Sequence, residues 1–154
     1  MSSRFLVIVT NRRVLTVNVA DDYQVEPVSY ENWEAAGVAC YESGTQFILA
    51  VGRGQGNSLQ NSRGLIEIYR YEIGSSSRKL QLCSSFMLPT QDRPKRLTLS
   101  PETQTLICVT RIQNKLLVWD LDESHLPLSE PFDFVKNHYR VVRIRILMKV
   151  ILSD

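Results

Sequence analysis

Apolar and polar positions along this chain follow a short period of two, in runs of five to ten residues closed off by turn residues. Phe5–Thr10 and Val14–Val19 flank Asn11-Arg12-Arg13 and predict a tight hairpin. Residues 20–34 are acidic and aromatic and read as a connection holding one short strand near Tyr23–Val28. Strands are then predicted at Gly37–Glu42, Gln46–Val51, Gly64–Ile73 and Lys79–Leu88. Ser43-Gly44-Thr45 is the first turn between them, Gly52–Arg63 a polar loop and Gly74–Arg78 a Ser-rich turn. After a loop at Pro89–Pro94 the pattern resumes with Arg96–Ser100, Thr105–Thr110 and Lys115–Leu121. Pro127 and Pro131 restrict any strand in 122–132 to an edge or a broken one. No stretch before residue 135 has a helical period, so the chain predicts an all-β fold: sandwich, barrel or propeller.

An internal repeat chooses among these. Tyr41–Val51 overlays Leu99–Val109 without a gap, and Ile66–Tyr71 overlays Leu116–Leu121. The N-terminal hairpin matches the second half of the same unit, with Phe5–Thr10 on Phe47–Gly52. The segment Leu97-Thr-Leu-Ser-Pro-Glu-Thr-Gln-Thr-Leu-Ile-Cys108, followed by Asn114-Lys-Leu-Leu-Val-Trp-Asp-Leu121, resembles a blade of the WD40-type β-propeller family. Ser100 can bond back to the turn that Pro101 opens, Trp119 suits the packing face of a blade, and Asp120 begins the exit turn. The resemblance implies antiparallel blades of an incomplete propeller over 1–135, with units near 4–20, 36–88 and 94–135. It departs from the family in lacking a Gly-His dipeptide before any unit. The tight turn reads Gln113-Asn114, and Tyr69-Arg70 stands where Trp119-Asp120 is expected.

Blades of this kind take roughly 40–45 residues and rings need about four or more. The recognisable units fall short of that, which is consistent with a piece of a longer propeller, with assembly alongside other copies or chains, or with a compact β domain that imitates blades. Self-association through open blade edges follows from the second reading.

Composition adds a charge asymmetry. The chain has 18 Lys+Arg and 16 Asp+Glu, and five of those cations with one Asp fall in 136–154, giving the tail +4 and the rest −2. In the tail Val142, Ile144 and Ile146 alternate with Arg143 and Arg145, and five further apolar residues follow before the end. It reads first as a strand opening another blade, then as a terminus outside the pattern, then as a membrane-surface anchor. No apolar run reaches the length of a membrane span, and the Phe5–Val9 run is too short for a signal peptide, so a cytoplasmic or nuclear protein is expected. Cys40, Cys83 and Cys108 sit in apolar runs without metal-ligand spacing and are expected to be buried.

Little in the chain proposes a reaction. Gly52-Arg-Gly-Gln-Gly-Asn-Ser58 lacks both the P-loop lysine and a following helix, so an exposed loop is expected over a phosphate cradle. His125 and His138 have no metal-ligand spacing, and Asp21-Asp22 and Asp120/Asp122 read as solvated turn carboxylates. Arg53, Arg63, Arg93, Lys95 and Arg96 are the candidate contacts for a partner protein. The expectation is a non-enzymatic, cofactor-free and metal-free interaction scaffold that binds other proteins, with no nucleic acid or membrane partner. The alternatives are part of a propeller-based enzyme whose catalytic residues lie elsewhere, or a β domain held at a membrane by the basic tail.

Overall fold

Alternation of side chains produces eleven strands and no helix among the described residues of the computed structural model, which are 5–10, 13–19, 23–29, 33–76 and 79–133. Three antiparallel sheets follow one another along the chain. Sheet 1 holds β1 (Phe5–Val9), β2 (Arg13–Asn18) and β3 (Tyr23–Ser29). Sheet 2 holds β4 (Glu34–Ser43), β5 (Gln46–Gln55), β6 (Arg63–Glu72) and β7 (Gln81–Met87). Sheet 3 holds β8 (Pro94–Ser100), β9 (Thr105–Thr110), β10 (Leu116–Asp120) and the two-residue β11 (Phe132–Asp133). Each is a meander in which every strand pairs with its sequence neighbour. The strand expected near Tyr23–Val28 joins sheet 1, so this sheet runs past residue 20 to Ser29. The expected tail strand lies outside the described residues.

The central strands β5 and β6 of sheet 2 are buried on both faces because they carry apolar residues at odd and even positions alike. Phe47, Leu49, Tyr69 and Tyr71 pack with Phe5 and Val14 of sheet 1, and the Phe5 ring stacks on Phe47 at 4.2 Å. Ile48, Ala50, Ile66 and Ile68 pack with Leu97, Leu99, Leu106, Cys108, Leu117 and Trp119 of sheet 3. The two layers between sheets hold most of the core, and Ile107 and Val118 on the other face of sheet 3 are buried as well.

The sheet 2–sheet 3 layer is filled by different means at its two sides. The first strands β4 and β8 lie close together. A Cβ at Gly52 would sit 2.8 Å from Cβ of Pro94, so only glycine fits there. Farther out, Phe86 of β7 and Trp119 of β10 meet with ring centroids 5.5 Å apart. The spacing at the first strands thus takes a glycine, while two aromatic rings fill the layer at later ones. A Gly52→Leu substitution is expected to overpack the close side and destabilise the chain by about 1–3 kcal/mol, read as a lowered thermal midpoint.

The structure corrects the register of the repeat. In sheet 2 the hairpin opens on Gln46 opposite Glu72, and in sheet 3 the matching pair is Thr105 opposite Asp120. Phe47–Tyr71 therefore corresponds to Leu106–Trp119, and Leu49–Tyr69 to Cys108–Leu117. The ungapped overlay fails because the turn Gly44-Thr45 is two residues shorter than the turn Pro101–Gln104. A slip of one residue moves a strand's side chains to the other face. The counterpart of Trp119 is the buried Tyr71, not Tyr69.

Candidate functional site

The polar groups gather at one end of the stack, where β5 leaves and β8 enters. Asp92, in the β7–β8 loop, is fully buried and accepts hydrogen bonds at Oδ1 from the backbone N–H of Arg93 (2.7 Å) and Ile112 (2.9 Å), and at Oδ2 from Gln113 (2.8 Å). Burial alone would raise its pKa, but those N–H groups, together with the Thr110 hydroxyl, outweigh burial and hold the carboxyl below its usual range. Asp92 so ties the loop before sheet 3 to the β9–β10 turn, where Asn114 takes a positive φ of 51°. No acidic residue is needed inside that turn, which explains how Gln113-Asn114 serves there.

The guanidinium of Arg93 runs the opposite way, into sheet 2. It donates to the Gly56 carbonyl (2.8 Å) and Asn57 Oδ1 (3.1 Å) and pairs with Glu34. Its path crosses Gly54, where a Cβ would meet Arg93 Nε at 2.4 Å. Arg53 lies on β5 with no solvent exposure and donates from Nε to Glu67 Oε2 at 2.9 Å, inside the apolar layer facing sheet 1. Both arginines are therefore corrected as surface contacts. Burial requires an ionic or hydrogen-bonding partner for each, and the fold supplies it.

The glycine-rich segment is corrected in the same way. Gly52 to Gln55 belong to β5, and the loop proper is 56–62. Asn61 Oδ1 accepts the N–H of Asn57 (3.1 Å) and of Ser58 (2.9 Å), and the Ser58 hydroxyl (2.9 Å). Amides that would have to turn towards a phosphate are engaged within the loop.

Arg63, Lys95 and Arg96 are exposed. Arg63 opens β6, and Lys95 and Arg96 sit at the bulge where β8 begins to pair with β9. Of the proposed blade signature, Ser100 is buried and its Oγ accepts the Thr103 N–H at 3.4 Å, while Pro101 opens the exposed turn. Trp119 is 3% exposed in the layer between sheets 2 and 3. Asp120 is half-buried, and its carbonyl accepts the Leu128 N–H at 2.9 Å in the exit loop. Asp122 is a turn carboxylate, and its Oδ1 accepts the N–H groups of Ser124 and Leu126, both at 2.8 Å, in exposed bonds. Asp21-Asp22, His138 and residues 136–154 lie outside the described residues.

Sequence reasoning missed a second polar join. His125, with a positive φ of 64°, shares a 2.9 Å hydrogen bond between Nε2 and the Tyr41 hydroxyl, and its carbonyl accepts Ser84 Oγ at 2.8 Å. These bonds fasten the loop after β10 to β4 and β7. Burial first, then Arg70, lowers the His125 pKa, and Asp122 acts weakly against them. A folded-state pKa below the unfolded 6.5 means the contribution is complete above that value and lost as pH falls through it towards the native pKa. Thermal melts are therefore expected to show a decline below about pH 6.5 that a His125→Gln variant lacks.

The cysteines are unlike one another. Cys108 is buried, and burial followed by the Asp92 charge pushes its thiol up to about 12 against an opposing bond from the Lys95 backbone, leaving it unreactive. Cys83 is half-buried, and Cys40 is exposed, correcting the expectation of burial. Among the described residues no group of three or more His, Cys, Asp or Glu could hold a metal ion, and no helix is long and apolar enough to cross a membrane.

Fold and site together define an all-β protein of stacked antiparallel meanders with exposed cations beside an internally bonded polar end. No family model matches the chain, and no curated protein matches it in sequence.

Proposed function

We propose that the chain is a WD40-like β-propeller module that binds other proteins as a scaffold, using the exposed Arg63, Lys95 and Arg96 against an acidic partner surface. The observation that carries this reading is the repeated packing of successive meanders in one direction. Phe47 and Tyr71 of sheet 2 face the preceding sheet, and their counterparts Leu106 and Trp119 of sheet 3 do the same. The near approach of first strands and the aromatic filling farther out suit blades that splay from a common axis. The interior arginines support the same reading, because Arg53 and Arg93 are occupied in holding the fold and leave the outer cations for contacts.

The test compares the wild type with an Arg63→Glu/Lys95→Glu/Arg96→Glu variant by affinity purification and quantitative mass spectrometry from cells. A reproducible partner set lost from the variant, with the thermal midpoint unchanged, is the expected result. A partner set indifferent to the three reversals sinks the assignment of these cations, and absence of any stable partner sinks the scaffold reading.

A further inference from the structure

The joint between sheets 2 and 3 has a polar fastening at each end, one built on an acid and the other on a base. At one end Asp92 holds the β9–β10 turn through backbone donors. At the other, residues 122–128 of the loop after β10 lie against β4 and β7. That segment is a small body held together from within. The Asp122 N–H donates to the Leu126 carbonyl and the His125 N–H to the Asp122 carbonyl, both at 2.9 Å. Asp122 Oδ1 accepts the Ser124 and Leu126 N–H groups, and the Leu128 N–H returns to the Asp120 carbonyl. None of these bonds reaches sheet 2.

Among the described residues, the hydrogen bonds from 122–128 to sheet 2 all come from His125. They are the Nε2 bond to the Tyr41 hydroxyl and the carbonyl that accepts Ser84 Oγ. Apolar burial adds little, since Leu126 is 46% and Leu128 66% exposed. Leu121, buried in the layer between sheets 2 and 3, marks the end of the fixed part. The charges facing His125 come from each neighbouring element. Arg70 of β6 opposes an imidazolium, and Glu72 beside it is engaged by Arg70 and by Gln46. Tyr41 of β4 and Cys83 of β7 keep their protons, because burial raises both. Asp122, on the loop itself, favours the charged ring less than burial and Arg70 disfavour it. The positive φ of His125 is a further cost that release removes.

We propose that residues 122–128 are a lid fastened to sheet 2 by His125, and that the lid lifts in mild acid while Asp92 keeps the far end of the same joint closed. An imidazolium is more stable on a lid open to water than packed beside Arg70, so protonation favours lifting. Asp92 responds at lower pH. The Cys108 thiol that faces it is uncharged, and its carboxyl stays ionised until the pH falls below 3.8. Between 6.5 and 3.8, therefore, one end of the joint opens and the other holds.

Nuclear magnetic resonance on the full chain tests this. Overhauser contacts between the rings of His125 and Tyr41, whose centroids lie 6.4 Å apart, are expected near neutral pH and lost by about pH 4.5. The loss should follow the titration of the His125 ring, with a midpoint below 6.5. The amide proton shifts of Ile112 and Gln113, set by Asp92, should stay constant over the same range. In a His125→Gln variant the Tyr41 and Ser84 signals should not respond to pH there. Ring contacts that persist at about pH 4.5 overturn the proposal. So do Ile112 and Gln113 shifts that change together with the lid, or Tyr41 and Ser84 signals that titrate in His125→Gln as in the wild type. Should that variant fail to fold, the two wild-type measurements decide.

Discussion

A Glu67→Ala variant is expected to lose about 3–5 kcal/mol of stability, the cost of breaking a buried ion pair from one side. Glu67 stands between Ile66 and Ile68 on β6 with a 2% exposed side chain, and Arg53 across the ladder is fully buried. Removing the carboxylate that receives Arg53 Nε takes a 2.9 Å ion pair from a fully buried guanidinium on the face of Val51 and Tyr69. Since domains of this size hold about 5–15 kcal/mol in all, urea titration should show a large fall in midpoint with little change in slope. The double variant Arg53→Met/Glu67→Leu is expected to recover most of the loss, because neither charge then needs desolvating. A double variant as unstable as the single one would show that the pair does more than neutralise itself.

The second large effect is expected at Asp92. Asp92→Ala removes the fully buried acceptor of three backbone donors, that of Arg93 in a buried bond and those of Ile112 and Gln113 in half-buried ones. At about 1–3 kcal/mol for each donor left unpaired, and less than additively, a loss of about 3–5 kcal/mol follows. Asp92→Asn keeps one acceptor oxygen and should fall between. The wild type adds a pH signature. A folded-state pKa below 3.8 means the contribution is complete above that value and vanishes as pH falls through the native pKa. Acid titration of the thermal midpoint should therefore be shallower in Asp92→Ala than in the wild type.

The strands were legible because a half-buried sheet writes its period into the chain, as Val14–Val19 and Gln46–Val51 do. The end of β5 was not, because Gly52-Arg53-Gly54-Gln55 has the composition of a loop. Its glycines make room for Pro94 and Arg93, partners about forty residues away that composition does not reveal. One signal did point there: a glutamate between two isoleucines in a strand requires a cation opposite, and β5 is where that cation lies. The role of Asp92 was hidden because its donors are backbone groups, which carry no residue type. The repeat was visible but slipped, since residue likeness does not distinguish a two-residue turn from a four-residue one, and the pairing ladder does.

The meander order of the sheets carries a kinetic consequence. Strands that pair are sequence neighbours joined by short turns, so each sheet closes only small loops as it forms. The joins between sheets, Phe5 on Phe47 and Phe86 on Trp119, span more than thirty residues each. Hairpins within a sheet therefore assemble before sheets dock, and docking carries the greater share of the barrier. A chain growing from its N-terminus can complete β4 to β7 while its later strands are still unmade. That sheet must then wait, with the Ile48–Ile68 face uncovered, until Trp119 arrives.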